Sequence, residues 1–428
     1  MRKGNKVTRI GIGIITGRKN FINVLRMNYN DWKETGLLNN PNIEIELFIA
    51  YDLEFGSLLE KDFKKIPKEI LDGINNVHLI GGAELKEMIL EIHQDTGEPI
   101  SNLDLIFGNH GYAKLRNSVL YCALKNKIDY LLYLDDDEYP LKVEKKSDGT
   151  LKWSKQHTLL THLKHIQKCD ITYGYKCGYV APIPYFDIKN QIDEKTLSTF
   201  INAMKNNDTS NWDELKSIVV DDKGITYGES PKVFEREYEN GGKYIWGTNL
   251  CLNLKSLGNN LPPFYNPLDA RGEDGFFSTG LKDAKVLRIP VYNFHDPFLE
   301  YPDIVNGILP TEIFVHQTDE KSIKRFFATC VGWMRYKPLL LYISDRKTFG
   351  KKIQELYKQL DSSLTEISTV LQKEEFMTLK SEAEKYVGNV FKDYAEFNKV
   401  KEVWKRTIQN CNTISDEEDE IEEKLSTV

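Results

Sequence analysis

Cysteine is scarce in this sequence and nowhere spaced for metal. Six occur in 428 residues, at Cys122, Cys169, Cys177, Cys251, Cys330 and Cys411, and no two stand as C-x-x-C. That excludes the common zinc frameworks, and the apolar surroundings of most of the six fit reduced core residues in a cytosolic protein. Long apolar runs are missing too. None approaches the roughly 18 residues that a membrane-spanning helix needs, and MRKGNKVTRIGIGIITGRKN has no long apolar core of a cleavable signal. The expectation is a soluble, cytoplasmic protein, with peripheral contact at the inner face of a membrane left open. There is no excess of positive charge: 57 Lys and Arg stand against 64 Asp and Glu, for a formal net charge of -7. Nucleic-acid binding through bulk charge is excluded, while a local basic site for a phosphate-bearing substrate is not. The glycines of GIGIITG are not spaced as G-x-G-x-x-G before a helix, so no dinucleotide site is read there. No internal repeat is present.

What is present is enough apolar residue for a packed core, 40% hydrophobic against 28% charged. The length suits two or three structural units. The most informative stretch is 130-YLLYLDDDEYPL-141. Its apolar part is short, aromatic and leucine-rich, without alternation, as in a strand buried on both faces of a parallel sheet. Pro140 stops regular pairing. Asp135, Asp136, Asp137 and Glu138 then fall at the carboxyl end of a central strand, the edge where open α/β sheets bind ligands. Four adjacent carboxylates raise one another's pKa unless positive charge sits among them. A hard divalent cation, Mg²⁺ or Mn²⁺, answers that need and commonly holds substrate phosphates as well. A solvated acidic turn is the plainer alternative.

Along the chain, strands are expected at 8–15, 43–51, 76–80, 170–182 (strand or hairpin), 244–254 and 286–294. Helices are expected at 21–32 and 111–127. This alternation means an α/β fold with a largely parallel sheet. Residues 184–240 are polar and read as a helical insertion near the active site, an acceptor lid. Residues 1–320 then form the catalytic domain, and helical patterns at 321–343, 347–372 and 376–397 place a helical region at 321–410. The acidic tail, 411–428, reads as disordered. The C-terminal helices could dimerise or lie on a membrane; Lys-rich faces such as KTFGKKIQELYKQL suit a membrane surface, but a solvated face is the favoured reading of them.

The order of motifs carries a resemblance. AKLRN at 113–117 precedes the acidic strand. IWGTNLCLN at 245–253 is a glycine-containing strand, RGEDGFF at 271–277 holds Glu273 and Asp274, and NFHDPF at 293–298 holds His295. Over roughly residues 8–300 this resembles GT-A fold glycosyltransferases, family-2-like: a Rossmann-like, mostly parallel sheet with flanking helices. The resemblance implies a nucleoside-diphosphate sugar as donor (UDP- or GDP-sugar), Mn²⁺ or Mg²⁺ as cofactor, and a glycan, lipid-linked or protein acceptor. It implies Asp137 as a direct metal ligand, Asp135 on the metal or the ribose, Asp136 toward the sugar, and His295 as third ligand with His316 in reserve. It implies Asp274 as the base of an inverting reaction and Glu273 as its supporting acid, although a Gly-Glu-Asp segment also suits the first turn of a helix. It places Trp246, Gly247, Asn249 and Tyr292 on the acceptor side. From strand position, Thr16 and Gly17 would meet the base or ribose, Asp52 the base and Arg116 the diphosphate, with Asn117 as an orienting cap. Each also reads as turn chemistry or a surface charge. Trp246, Tyr292 and Phe264 are candidates to stack on a sugar.

Two segments depart from the family pattern: IITGRKNF after the first strand, and AYDLEFG after the second. Three other readings stand beside the leading one. A retaining enzyme needs no Asp274. A nucleotidyltransferase would want a glycine-rich cationic loop after the first strand. A non-catalytic scaffold could carry a degenerate transferase domain.

Overall fold

In the computed structural model, residues 7–54, 58–180, 191–204, 224–315 and 319–426 are described, with 183, 184, 186, 188, 216 and 220 between them. Much of the expected 184–240 insertion, and His316, lie outside the described residues.

The fold is mixed α/β. Its centre is a ten-stranded sheet ordered β10-β12-β8-β11-β4-β1-β2-β3, with β5 on β12 and β9 on β8. The strands are β1 (Thr8–Thr16), β2 (Ile43–Tyr51), β3 (Asn76–Ile80), β4 (Tyr130–Leu134), β5 (Glu138–Tyr139), β6 (Leu141–Lys145), β7 (Leu151–Lys155), β8 (Ile171–Tyr179), β9 (Ile225–Thr226), β10 (Phe234–Glu235), β11 (Leu250–Asn253) and β12 (Val286–His295). β4, β1, β2 and β3 run parallel, as do β8 and β12, while β11 is antiparallel between β4 and β8. β6 and β7 form a separate hairpin. Helices of seven or more residues are numbered here: α1 (Phe21–Glu34), α2 (Gly82–Thr96), α3 (Tyr112–Lys125), α4 (Thr158–Ile166), α5 (Glu194–Met204), α6 (Glu273–Thr279), α7 (Glu320–Ser344), α8 (Phe349–Val370) and α9 (Leu379–Ser426).

The buried strands behave as their composition asks. In β1, Ile10, Ile12 and Ile14 point to the face covered by α1 and α4. The glycines between them face α3, and a Cβ on Gly13 would lie 2.8 Å from Val119. GIGI is therefore a device for close helix-on-sheet packing rather than phosphate binding. β4 buries Leu132 and Leu134 on one face and Leu131 and Tyr133 on the other. The expected strand at 244–254 is shorter, only Leu250–Asn253. Asn249 has φ 48°, a left-handed conformation that no extended ladder continues through.

The helical region is not set apart from the sheet. Tyr336, Leu339 and Leu340 of α7, and Val390, Phe397, Val400 and Trp404 of α9, join one core with Leu131, Tyr133 and the α3 face. A second core holds α5, α7 and α8 together. α9 carries helical backbone through the acidic segment as far as Ser426. No described helix is long and apolar enough to cross a membrane. All six cysteines are free.

Candidate active site

β1 is flanked by β2 on one side and β4 on the other, so the connections reverse direction between β1 and β4. Crevices at such a switch point bind ligands. Two segments meet there, Thr16–Asn20 after β1 and Asp135–Glu138 after β4. The acidic turn is hooked back by β5, which pairs antiparallel with the end of β12 and sets His295 against Glu138. Asp296 N donates to Asp137 O at 2.9 Å. A strand of two residues thus brings the DxD segment and the histidine together.

Carboxylate oxygens of Asp135, Asp136 and Asp137 all lie within 4.8 Å of one another. Their surroundings differ. Asp136 accepts from Thr16 Oγ1 at 2.6 Å and from Arg18 Nη1 at 3.3 Å. Burial and the Asp137 charge still push it up to about 6. Asp135 is raised further by burial and by Asp137, Glu138 and Asp136. Asp137 goes the other way. Burial opposes its charge, but His295 and Arg18 hold it below the usual carboxylate range. Arg18 Nη1 is 2.7 Å from Asp137 Oδ2.

The other oxygen, Asp137 Oδ1, is buried with no hydrogen-bond partner. It faces His295 Nε2 at 3.7 Å, too far for a hydrogen bond. His295 Nδ1 donates to the Tyr179 carbonyl at 2.6 Å, so Nε2 is the ring nitrogen turned toward Asp137. The partnerless Asp137 Oδ1 and the His295 ring nitrogen thus face each other 3.7 Å apart. An oxygen and nitrogen set of this kind suits Mn²⁺ or Mg²⁺. Asp135, Asp136 and Asp137 are the residues close enough together to hold such a cation, and His295 Nε2 stands beside Asp137 alone.

Other sequence candidates fall into two groups. Asp52 and Trp246 are at the open edge, while Thr16 is buried with its hydroxyl on Asp136. Asp52 N donates to Thr16 O, and its carboxylate takes Glu54 N at 2.9 Å with His110 Nδ1 at 3.3 Å. Trp246 is 41% exposed, with Lys176 Nζ 5.7 Å from its ring centre. Gly17 follows Thr16 in the same turn. The second group turns inward. Arg116 is buried, donates to the Gly247 carbonyl, lies 3.7 Å from Glu273 and stacks on Tyr133 and Phe264. It is thus not open to a diphosphate, because its charge is used to tie β11's approach segment to α6. Asn117 clamps Phe264 through both backbone groups. Asn249 is fully buried against His162, Tyr175 and Val291, and Tyr292 and Phe264 are core residues. None of these can touch an acceptor, for want of exposed surface.

Glu273 and Asp274 open α6, as a first-turn acidic pair would. Gly272 at its N-cap has φ 94°, and a Cβ there would lie 2.8 Å from the Tyr336 ring. Burial, then Glu273, pushes Asp274 up to about 6, against the pull of Arg116. Lys176 acts on the charges of Asp135, Asp137, Glu138 and Asp274, so it stands between the acidic turn and α6. It pairs with Glu138, which also accepts from Thr248 and Asn293 and is fully enclosed.

Beside Asp137 and His295 opens a cavity of about 700 Å³. Arg18, Tyr112 and Phe298 line it from the sheet side, Arg271 from the approach to α6, and Lys321, Arg325 and Thr329 from α7. Arg18, Lys176 and Arg325 were not singled out in the sequence. The one available signal was Arg18's position, two residues past the first strand.

No protein-family model matches the chain, and no curated protein matches it. Among solved structures it is similar to the apo form of mouse xyloside xylosyltransferase 1, at 10% identity over 39% of this chain and 53% of that one, with a TM-score of 0.19. The chain thus spans about half the length of that structure. A likeness of that extent decides neither fold nor function.

Proposed function

We propose that the protein is a metal-dependent GT-A glycosyltransferase, moving a sugar from a nucleoside-diphosphate sugar to a glycan, lipid-linked or protein acceptor. The observation that carries this reading is the partnerless Asp137 Oδ1 facing His295 Nε2 at the switch point of a parallel sheet. A bound Mn²⁺ or Mg²⁺ would supply Lewis-acid neutralisation of the leaving diphosphate. Thr16 and Arg18 hold Asp136 and Asp137 in place for that duty. In this reading Asp52, one strand over, accepts from the nucleobase. Trp246 offers an exposed ring for a sugar face. Asp274, with its affinity for a proton increased by burial, takes the proton of the acceptor hydroxyl in an inverting transfer, and Glu273 braces it through Arg116.

The test is thermal stability with UDP-, GDP-, CDP- and dTDP-sugars, each with Mn²⁺ or EDTA. A ligand at about 100 times its Kd stabilises by roughly 2.7 kcal/mol. A Mn²⁺-dependent rise with one nucleotide, lost in Asp137→Ala, is expected. A flat response across the panel would overturn the transferase reading and favour a non-catalytic scaffold.

A further inference from the structure

The cavity wall opposite Asp137 comes from a part of the chain outside the motif-bearing sheet. Arg325 is half-buried, and its guanidinium lies 4.8 Å from the Phe298 ring centre. The Arg271 stem packs on Gly332 of α7, with its Cδ 3.3 Å from where a Cβ would stand. Both side chains are therefore held in place. Neither has a carboxylate partner among the described residues, nor does Lys321, which sits one turn before Arg325 on the same rim. The acids in the wall are Asp137, which pairs with Arg18; Glu300; and Asp319, which caps α7 by accepting from Ser322 N and Oγ.

Arginines gathered in one wall with no ion pair of their own are costly to assemble. Burial and Arg18 weaken Arg325's hold on its proton, Asp137 partly restores it, and Arg271 weakens it further. An oxyanion entering the cavity would relieve that repulsion, and the planar fork of arginine suits phosphoryl oxygens in particular.

We propose that Arg271 and Arg325, with Lys321 at the rim, form a phosphoryl-binding site in the wall that α7 adds to the cavity. It is distinct from the carboxylate cluster and does not need a metal ion. The phosphoryl group can come from the leaving diphosphate of the donor or from a phosphate on the acceptor. Only that choice of source rests on the transferase reading.

The probe is inorganic pyrophosphate, titrated calorimetrically into the full chain in EDTA at fixed ionic strength. Wild type should bind, and Arg271→Gln and Arg325→Gln should each weaken binding about tenfold. Lys324→Gln, an exposed neighbour outside the cavity lining, and Asp137→Ala should not weaken it. Absence of wild-type binding, or equal binding by both arginine variants, would overturn the site. Arg271 is exposed, so its variant stays informative even if Arg325→Gln fails to fold. A second titration uses nucleoside diphosphates with Mn²⁺. If Arg325→Gln weakens the nucleotide, the donor supplies the group; if the nucleotide is unaffected while pyrophosphate is lost, the acceptor does. Pyrophosphate binding that depends on the arginines, with no Mn²⁺-dependent nucleotide, upholds the site and sinks the transferase. The reverse pattern upholds the transferase and sinks the site.

Discussion

Asp274 is the residue whose role pH should expose. The proposed base must be ionised to act, and this carboxylate is pushed up to about 6. Turnover should therefore rise as pH increases through about 6 and level off above it. Asp274→Asn should lower kcat by roughly 10²–10⁴ and remove that limb; a limb that survives in the variant would assign it to another group. Stability carries the opposite sign. The fold favours the protonated form, so that contribution is present at low pH and lost as pH rises through about 6. Arg116 makes a different prediction. Its replacement by Ala leaves the Gly247 carbonyl without its donor and Glu273 without its nearest cation, and should cost about 1–3 kcal/mol in urea unfolding. The two residues also mark what could be read from the chain. The carboxylates of 135–137 and His295 were legible because a strand's end and a run of like charge are local signals. Arg116 and Asn117 matched a motif yet face inward, and Arg18 looked like any surface turn cation. Side-chain direction depends on packing partners more than a hundred residues away, which no spacing encodes.

Among the elements, α6 is the one placed by a partner rather than by its own sequence. Seven residues cannot hold a helix in water. Gly272 lying on the Tyr336 ring fixes its entry. Gly272→Ala combines a left-handed φ with a close approach to that ring, and should cost on the order of 1–3 kcal/mol. It should also displace Glu273 and Asp274, so kcat should fall more than nucleotide affinity; an equal loss of both would mean that α6 serves binding alone. The long, periodic elements were legible: β1, β2, β4, α1, α3, α7 and α8 lie where the apolar pattern places them. The β6–β7 hairpin was passed over, although Asp148-Gly149 with φ 85° at the glycine is a turn signal between two alternating segments. β5 left no trace, since two residues have no period.

For the whole molecule, the shared core is the decisive feature. Trp404 of α9 is 1% exposed, donates to the Leu261 carbonyl at 2.8 Å and meets the Phe107 ring. Trp404→Ala should cost about 3–5 kcal/mol and shift a single unfolding transition. Two separated transitions in calorimetry, with the sheet's unchanged, would instead mean that the helices fold by themselves. A chain ending at residue 319 should expose the apolar surface of Leu115, Tyr133 and Phe276 that α7 and α9 cover, and should be recovered as aggregate.

The contact of Gly272 with Tyr336 also sets an order in time. A ribosome delivers roughly 5–20 residues each second. The strands, the acidic turn and His295 are all delivered before Tyr336. Until that ring and Gly332 arrive, Asp274 has no fixed helix and Arg271 no bed for its stem. A nascent chain thus carries its carboxylates and histidine for several seconds without a finished cavity, and the last hundred residues act as the switch that turns translation product into working protein.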